Sequence, residues 1–298
     1  MPELPEVEVV RAGLAPALVG ARIEACTVLD PRALTRHAGT AASFETELVG
    51  RSIGAAARRG KFLWFPLADA RRAVVAHLGM SGQMLLREPG VPTERHERIR
   101  WDIAHPAHGE LSVLFVDQRT FGSLAVDDLL PTPDGAAGGR GTDVPEVPSQ
   151  VAHIARDPLD PAFDRDRFHG EAARRSSAIK RVLLDQEFVS GIGNIYADEA
   201  LWAARIHPET PASSLSRAAR ARLLESVILV MTKALAEGGT SFDAQYVNVN
   251  GQAGYFAHSL QAYGRTGAPC SRCGSAIVRV AFTNRSSHYC PRCQRRRP

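Results

Sequence analysis

The sequence predicts an α+β chain in which strands come first, helices follow, and a small cysteine-bearing β-hairpin closes the order. Three observations carry this. Apolar runs with strand-like alternation fill the first part, at 61–65, 73–78 and 111–116. Leu223, Val227, Val230, Met231 and Leu235 then recur at helical spacing within 215–237. Last, Cys270-x2-Cys273 and Cys290-x2-Cys293 stand sixteen residues apart around the apolar positions Ile277, Val278, Val280 and Phe282.

The bulk numbers bound the possibilities. A chain of 298 residues allows two or three domains. Hydrophobic residues make up 44% and charged residues 23%, which places it among ordinary globular proteins and excludes a disordered chain. No apolar run approaches the ~20 residues of a membrane span, and Glu3, Glu6 and Glu8 replace the basic start of a signal peptide. A soluble, cytoplasmic protein is expected. The formal net charge is +4, yet 264–298 holds eight Arg and no Asp, Glu or Lys, so the preceding residues carry −4. A basic terminal module on a slightly acidic body suits a polyanion, and nucleic acid is the expected partner.

At the N-terminus, Pro5 and Glu6 suit the first turn of a helix, and Val7, Val10 and Leu14 continue it over 3–14. Pro2 admits a second reading. With Met1 removed it presents a secondary amine, which titrates near pH ~8 and is partly unprotonated at neutrality. Such an amine can condense with an aldehyde carbon, making Pro2 a candidate nucleophile and Glu3 a candidate acid/base. Both readings stand at this point.

Gly, Pro and Asp dominate 131–148, which reads as a linker. The expected organisation is therefore a β-rich domain over 1–133, a linker over 134–150, a helical domain over 151–263 and a terminal module over 264–298. Within the helical part, a helix through Ile179 and Leu183 runs into a turn bearing Gly191 and Gly193, and a second helix starts at Asn194 as N-cap. Backbone N–H groups of such a turn form an anion site.

The paired cysteines have the spacing of a four-thiolate zinc site. Four protein ligands leave no open position, so one structural Zn2+ is expected on Cys270, Cys273, Cys290 and Cys293. Cys26 has no partner in this pattern and reads as a small core residue. Arg285 would sit on the metal-fixed hairpin, aimed at a groove or at phosphates.

The opening MPELPEVE, the turn LLDQEFVSGIGNIYADEAL and the ending in CxxC and YCPRCQ resemble the formamidopyrimidine-DNA glycosylase/endonuclease VIII family, in order and over essentially the whole chain. The resemblance implies a two-layered β-sandwich with an N-terminal helix, a helical domain with a helix–two-turn–helix element, and a zinc-finger β-hairpin. It implies a bifunctional DNA glycosylase and abasic-site lyase of base excision repair, a monomer acting on double-stranded DNA that contains oxidised bases, without a membrane, in the cytoplasm at the nucleoid. Pro2 would attack the sugar, expel the base and hold the sugar as a Schiff base, with Glu3 moving protons and elimination cutting both sides. Lys61 matches the family's phosphate-binding lysine. His77, Asn194, Tyr263 and Arg285 match its other backbone contacts, and Arg279 stands where some relatives have lysine. Met80, Arg119 and Phe121 match the residues that wedge into the vacated stack; Thr120 stands where some relatives carry a second Arg.

Leu4-Pro5 and the segment from Gly238 to Phe256, glycine-rich and similar to a loop that covers an oxidised purine, favour the formamidopyrimidine branch, with 8-oxoguanine and formamidopyrimidines as targets. The alternatives are an endonuclease VIII-like enzyme for oxidised pyrimidines and a non-catalytic zinc-containing protein that binds damaged DNA.

Overall fold

The computed structural model describes residues 2–68, 70–240 and 256–296. It divides into two units. The first is built on Glu6–His153, together with Pro2 and Thr240. The second comprises Glu3–Pro5, Ile154–Gly239 and the described residues from 256 onward.

Helix α1 spans Leu4–Leu18, and from Glu6 onward it belongs to the first unit. Val7, Val10 and Leu14 are buried as their spacing predicts. The helix runs one turn beyond the expected end, through Pro16, whose missing N–H costs only one bond in the final turn. Then come β1 (Arg22–Val28), α2 (Ala41–Leu48), β2 (Ala57–Arg59), β3 (Phe62–Pro66), β4 (Arg72–His77), β5 (Gly82–Arg87), β6 (Glu97–His105), β7 (Gly109–Asp117), β8 (Ser123–Pro131) and β9 (Glu146–Pro148).

One sheet has the order β1-β6-β7-β5 and the other β2-β3-β4-β8-β9, every pair antiparallel. Alternation points Ile99, Trp101, Ile103, Val113 and Phe115 of the first sheet into the same core as Leu63, Phe65, Val74, Ala76, Leu124 and Val126 of the second. Phe65 and Trp101 meet edge to face, with centroids 6.0 Å apart. This is a two-layered β-sandwich. Cys26, expected in the core, is instead half-buried and packs against its margin, and burial pushes its thiol up to about 12, an inert cysteine.

The stretch 134–150, expected as a linker, is instead a folded margin of the five-stranded sheet. β9 pairs with β8, Leu130 opposite Val147, and Arg58 and Arg140 exchange backbone hydrogen bonds of 2.9 Å in both directions. Its glycines serve close approach. A Cβ on Gly138 would lie 1.9 Å from the Glu146 carbonyl oxygen, and one on Gly139 or Gly141 2.2 Å from those of Arg58 and Ala56. A chain lying flush on a strand needs the residue that a flexible chain also needs, so composition alone read it the other way.

In the second unit, α3 (Arg165–Arg174), α4 (Ile179–Leu184), α5 (Asn194–Ala204) and α6 (Arg217–Ala236) surround a core of Leu4, Phe168, Val182, Leu183, Ile195, Leu201, Leu223, Val227 and Met231. The long helix is the one expected over 215–237, capped by Ser216, whose Oγ accepts the Ala219 N–H at 3.2 Å. β10 (Val278–Phe282) and β11 (Arg285–Tyr289) form the terminal hairpin, which packs on α5 rather than standing apart. Among the described residues no helix is long and apolar enough to cross a membrane.

Candidate functional site

The predicted residues fall into two groups, one in each unit. Pro2, Lys61, His77, Met80, Arg119 and Phe121 lie in the first; Glu3, Asn194, Tyr263, Arg279, Arg285 and the four cysteines lie in the second. The covalent bond from Pro2 to Glu3 joins the groups, and both residues are buried.

Lys61 lies in the turn at Gly60 that leads into β3. A buried charge network fixes that turn. Arg58 donates from Nη1 to the Gly60 carbonyl at 3.0 Å and from Nε to Glu8 at 2.8 Å. Arg11 and Arg140 also reach Glu8, at 2.8 and 3.2 Å. Burial works against ionisation of Glu8, but the Arg11 and Arg58 guanidiniums outweigh it and hold the carboxyl below its ordinary range. Opposite Phe62 in the sheet stands His77, whose ring lies 4.7 Å from the Phe62 ring. Burial, helped by the charges of Arg36 and Lys61, lowers His77 to about 4. Its ring is therefore neutral at pH 7. Nδ1 accepts the Gly79 N–H at 3.2 Å, which leaves the proton on Nε2 as a neutral donor. Arg36, not found from the sequence, completes this basic group; it lies in a stretch with no motif.

The residues expected to wedge into the stack, Met80, Arg119 and Phe121, occupy two short loops. Met80 is 42% exposed and Phe121 61%. The Arg119 guanidinium lies 3.9 Å from the Met80 sulfur. The sequence presents Glu6 only as a helix-start residue. It is buried, and its Oε1 accepts both the N–H and the hydroxyl of Thr240, at 2.7 and 2.9 Å. Thr240 lies within the expected covering segment, of which Gly238–Thr240 and Phe256 are described and 241–255 lie outside the described residues.

In the second unit the anion site expected at Gly191–Asn194 is filled by the chain's own carboxylate. Glu3 accepts the N–H groups of Gly193 at 2.7 Å, Ile195 at 2.9 Å and Tyr196 at 3.3 Å. Asn194 is consequently not the N-cap; Gly193 holds that position and Asn194 begins α5. Gly193 is required for closeness, since a Cβ there would lie 2.3 Å from the Glu3 carboxyl carbon. The freed Asn194 side chain meets the Tyr263 hydroxyl, whose ionisation is pushed upward chiefly by burial.

Two buried acids, both missed in the sequence, build the frame around these groups. Glu199 accepts three successive N–H groups, from Gln261, Ala262 and Tyr263, at 2.8–2.9 Å. Asp198 pairs with buried Lys180 at 2.7 Å and accepts the His288 N–H at 2.8 Å. Lys180 in turn donates to the Ser286 carbonyl and the Ser287 hydroxyl at 2.8 and 2.9 Å, tying α4 and α5 to the strand that begins with Arg285. Arg285 is exposed near the hairpin tip, and Arg279 donates to Ser286 Oγ at 2.9 Å. The signal for Asp198 and Glu199 was present as DE inside a helix otherwise apolar, but a charge pair there reads equally as solvated face.

The four cysteine sulfurs lie within 4.8 Å of one another, with Cys273 and Cys290 3.4 Å apart. A tetrahedral ion with Zn–S of ~2.3 Å needs sulfurs about 3.8 Å apart, so the donor set fits zinc and closes around it. Each pair forms a tight turn: the Cys270 carbonyl accepts the Cys273 and Gly274 N–H groups, and the Cys293 N–H points at Cys290 Sγ at 3.4 Å. The cysteines hold one structural zinc ion.

Family models match three stretches: a formamidopyrimidine-DNA glycosylase N-terminal domain over 1–124, the H2TH domain of the same proteins over 154–245, and a zinc finger found in FPG and IleRS over 267–296. Curated formamidopyrimidine-DNA glycosylases of Leifsonia xyli and Thermobifida fusca are 64% and 53% identical to the chain, across 99% of it and 100% and 98% of their own lengths. The chain belongs to the formamidopyrimidine-DNA glycosylase family. It is a DNA glycosylase of base excision repair, and lyase activity is characteristic of that family. Solved structures agree. The Lactococcus lactis protein, crystallised as a variant with Fapy-dG DNA, is 30% identical with a TM-score of 0.82; its complex with abasic-site DNA is 31% identical at 0.81, and each covers 99% of this chain and 100% of the other. A further complex of the Lactococcus lactis protein holds DNA with an oxidised pyrimidine.

Proposed function

We propose that the chain removes oxidised purines, 8-oxoguanine and formamidopyrimidines, from double-stranded DNA and then cuts the strand, with the Pro2 amine as nucleophile. The observation that carries this is the Glu3 carboxylate, held by three backbone N–H groups one peptide bond from Pro2. An acid/base group earns its effect by fixed position, and this one is fixed by backbone rather than by mobile side chains.

The Pro2 nitrogen attacks the anomeric carbon. The carbon–nitrogen bond to the damaged base breaks and the base leaves with a proton. The sugar, ring opened, is held as an iminium on Pro2. That cation acidifies the adjacent sugar C–H; loss of this proton expels the 3′ phosphate, and a second elimination expels the 5′ phosphate. Glu3 is the proton carrier at the sugar. Lys61 and Arg285 hold the phosphates beside the reacting sugar, and His77, Asn194, Tyr263 and Arg279 hold the backbone on either side. Met80, Arg119 and Phe121 fill the space of the extruded base, whose removal from the stack costs a few kcal/mol. Zinc takes no part in bond making; it fixes the hairpin bearing Arg279 and Arg285. Functionally the modules are a catalytic one over 1–133, continued by its folded margin, a DNA-binding one over 151–263 and a zinc finger over 264–298, working as a monomer in the cytoplasm.

Borohydride trapping on an 8-oxoguanine duplex tests the nucleophile. A covalent adduct is expected with the protein beginning at Pro2 and none with Pro2→Gly; an equal adduct from Pro2→Gly removes Pro2 from the role. With Met1 retained the nitrogen is an amide and no adduct is expected. The oxidised pyrimidine held by the Lactococcus lactis relative favours a second target class. Faster excision of thymine glycol than of 8-oxoguanine opposite cytosine would make that class the principal one.

A further inference from the structure

We propose that Asp117 is the positioning residue of the wedge, holding the loops of Met80 and of Arg119–Phe121 as one rigid tooth. The inference rests on the wedge reading of those three residues. Met80 and Phe121 are large apolar side chains left in solvent, and to displace a base they must stand at a fixed height and direction. Neither loop is held by strand pairing at those positions.

The fixing comes from one fully buried carboxylate at the end of β7. Oδ1 of Asp117 accepts the Ser81 hydroxyl at 2.6 Å and the Arg119 N–H at 3.0 Å. Oδ2 accepts the Gly122 N–H at 2.7 Å. Ser81 follows Met80 directly, and Arg119 and Gly122 bracket Thr120 and Phe121. The Ser81 hydroxyl also lies 3.3 Å from the Arg119 N–H, so the two loops share donors and acceptor. Backbone contact locks them further: a Cβ on Gly79 would fall 2.4 Å from the Phe121 carbonyl carbon, and Gly79 sits at φ +60°. Thr120 takes φ +55°, a conformation a threonine holds only when its surroundings impose it. Asp117 therefore touches neither sugar nor base, and acts through the residues that do.

The test separates base extrusion from chemistry. In Asp117→Asn, an amide N–H2 replaces one of the acceptors facing these donors while the shape is kept. Unstacking is followed by stopped-flow fluorescence of a 2-aminopurine beside 8-oxoguanine, and excision is compared with strand cutting at a preformed abasic site, where no base pair must be broken. Asp117→Asn is expected to slow unstacking and excision about tenfold, and abasic cutting by less than about threefold. Ser81→Ala, which removes one donor, is expected to slow unstacking about threefold. An unchanged ratio of excision to abasic cutting in Asp117→Asn overturns the proposal. If that variant shows no cooperative melt, Ser81→Ala decides by the same ratio. Phe121→Ala tests the underlying reading: no slowing of unstacking there ends the wedge assignment and this inference with it. Slowing there beside unaltered Asp117→Asn and Ser81→Ala ends the inference alone.

Discussion

Gly193→Ala should abolish most of the activity without unfolding the protein. Gly193 has φ −122° and ψ −161°, extended backbone that alanine adopts freely, so the substitution carries no conformational strain. The conflict is with Glu3. The new Cβ would lie 2.3 Å from its carboxyl carbon, 2.4 Å from Oε1 and 2.7 Å from Cγ. Carbon–carbon contacts settle at ~3.5–4.0 Å, so the carboxylate must retreat by about 1 Å or more. The hydrogen bonds of 2.7, 2.9 and 3.3 Å to Gly193, Ile195 and Tyr196 then stretch beyond useful length. A misplacement of that size at a reacting centre costs about 10²-fold in rate, within the ~10²–10⁴ that a positioned acid/base supplies. Single-turnover excision of 8-oxoguanine opposite cytosine should therefore fall about 10²-fold. The melting transition should stay cooperative, and affinity for abasic-analogue DNA should change by no more than about threefold, because no proposed phosphate contact is lost. Excision within about threefold of the unsubstituted rate would refute the reasoning that Glu3 works by its seat on α5.

Three further outcomes follow from the same geometry. Chelating zinc should abolish DNA binding and loosen 264–298, read as lost hairpin amide protection in hydrogen exchange, because so small a module folds on its metal. Arg285→Ala should weaken DNA binding and flatten the slope of log K against log salt by about one counterion; an unaltered slope would take Arg285 off the phosphate. Burial, with the charges of Arg36 and Lys61, lowers His77 to about 4, so the unfolded chain takes up its proton first as pH falls. Stability contributed by the neutral ring is present above pH ~6.5 and is lost as pH falls toward 4, and His77→Gln should show a shallower loss of unfolding free energy across that window.

The fold was legible where one periodicity dominated. Strand alternation found β3, β4 and β7, and helical spacing found α1 and α6, because each buries one face against one core. The zinc site was legible because ligand spacing is local in the chain. What stayed hidden depends on partners far away in sequence. Nothing near Gly193 announces that the anion for its N–H groups comes from position 3, 190 residues earlier. Asp117, Asp198 and Glu199 are buried acids whose meaning lies wholly in the N–H groups and the lysine that meet them in space. Asn194 was expected to cap α5 because Asn does so when no better acceptor is present; Glu3 supplies that acceptor and releases Asn194 toward Tyr263.

The margin at 134–150 has a practical side for anyone wishing to tag or split this protein. By composition it is the most inviting place in the chain to open, being rich in glycine, proline and aspartate. Yet Arg140 reaches Glu8 there, Gly138 receives the Arg59 guanidinium at 2.7 Å, and Glu8 steadies the Arg58 that holds the turn before Lys61. A fluorescent label or a fused domain inserted at Gly139 would be felt at the lysine turn. Grafts belong instead in the β6–β7 turn before Gly109, where nothing crowds within 4 Å; Gly109 itself, at φ +71°, is best kept as glycine.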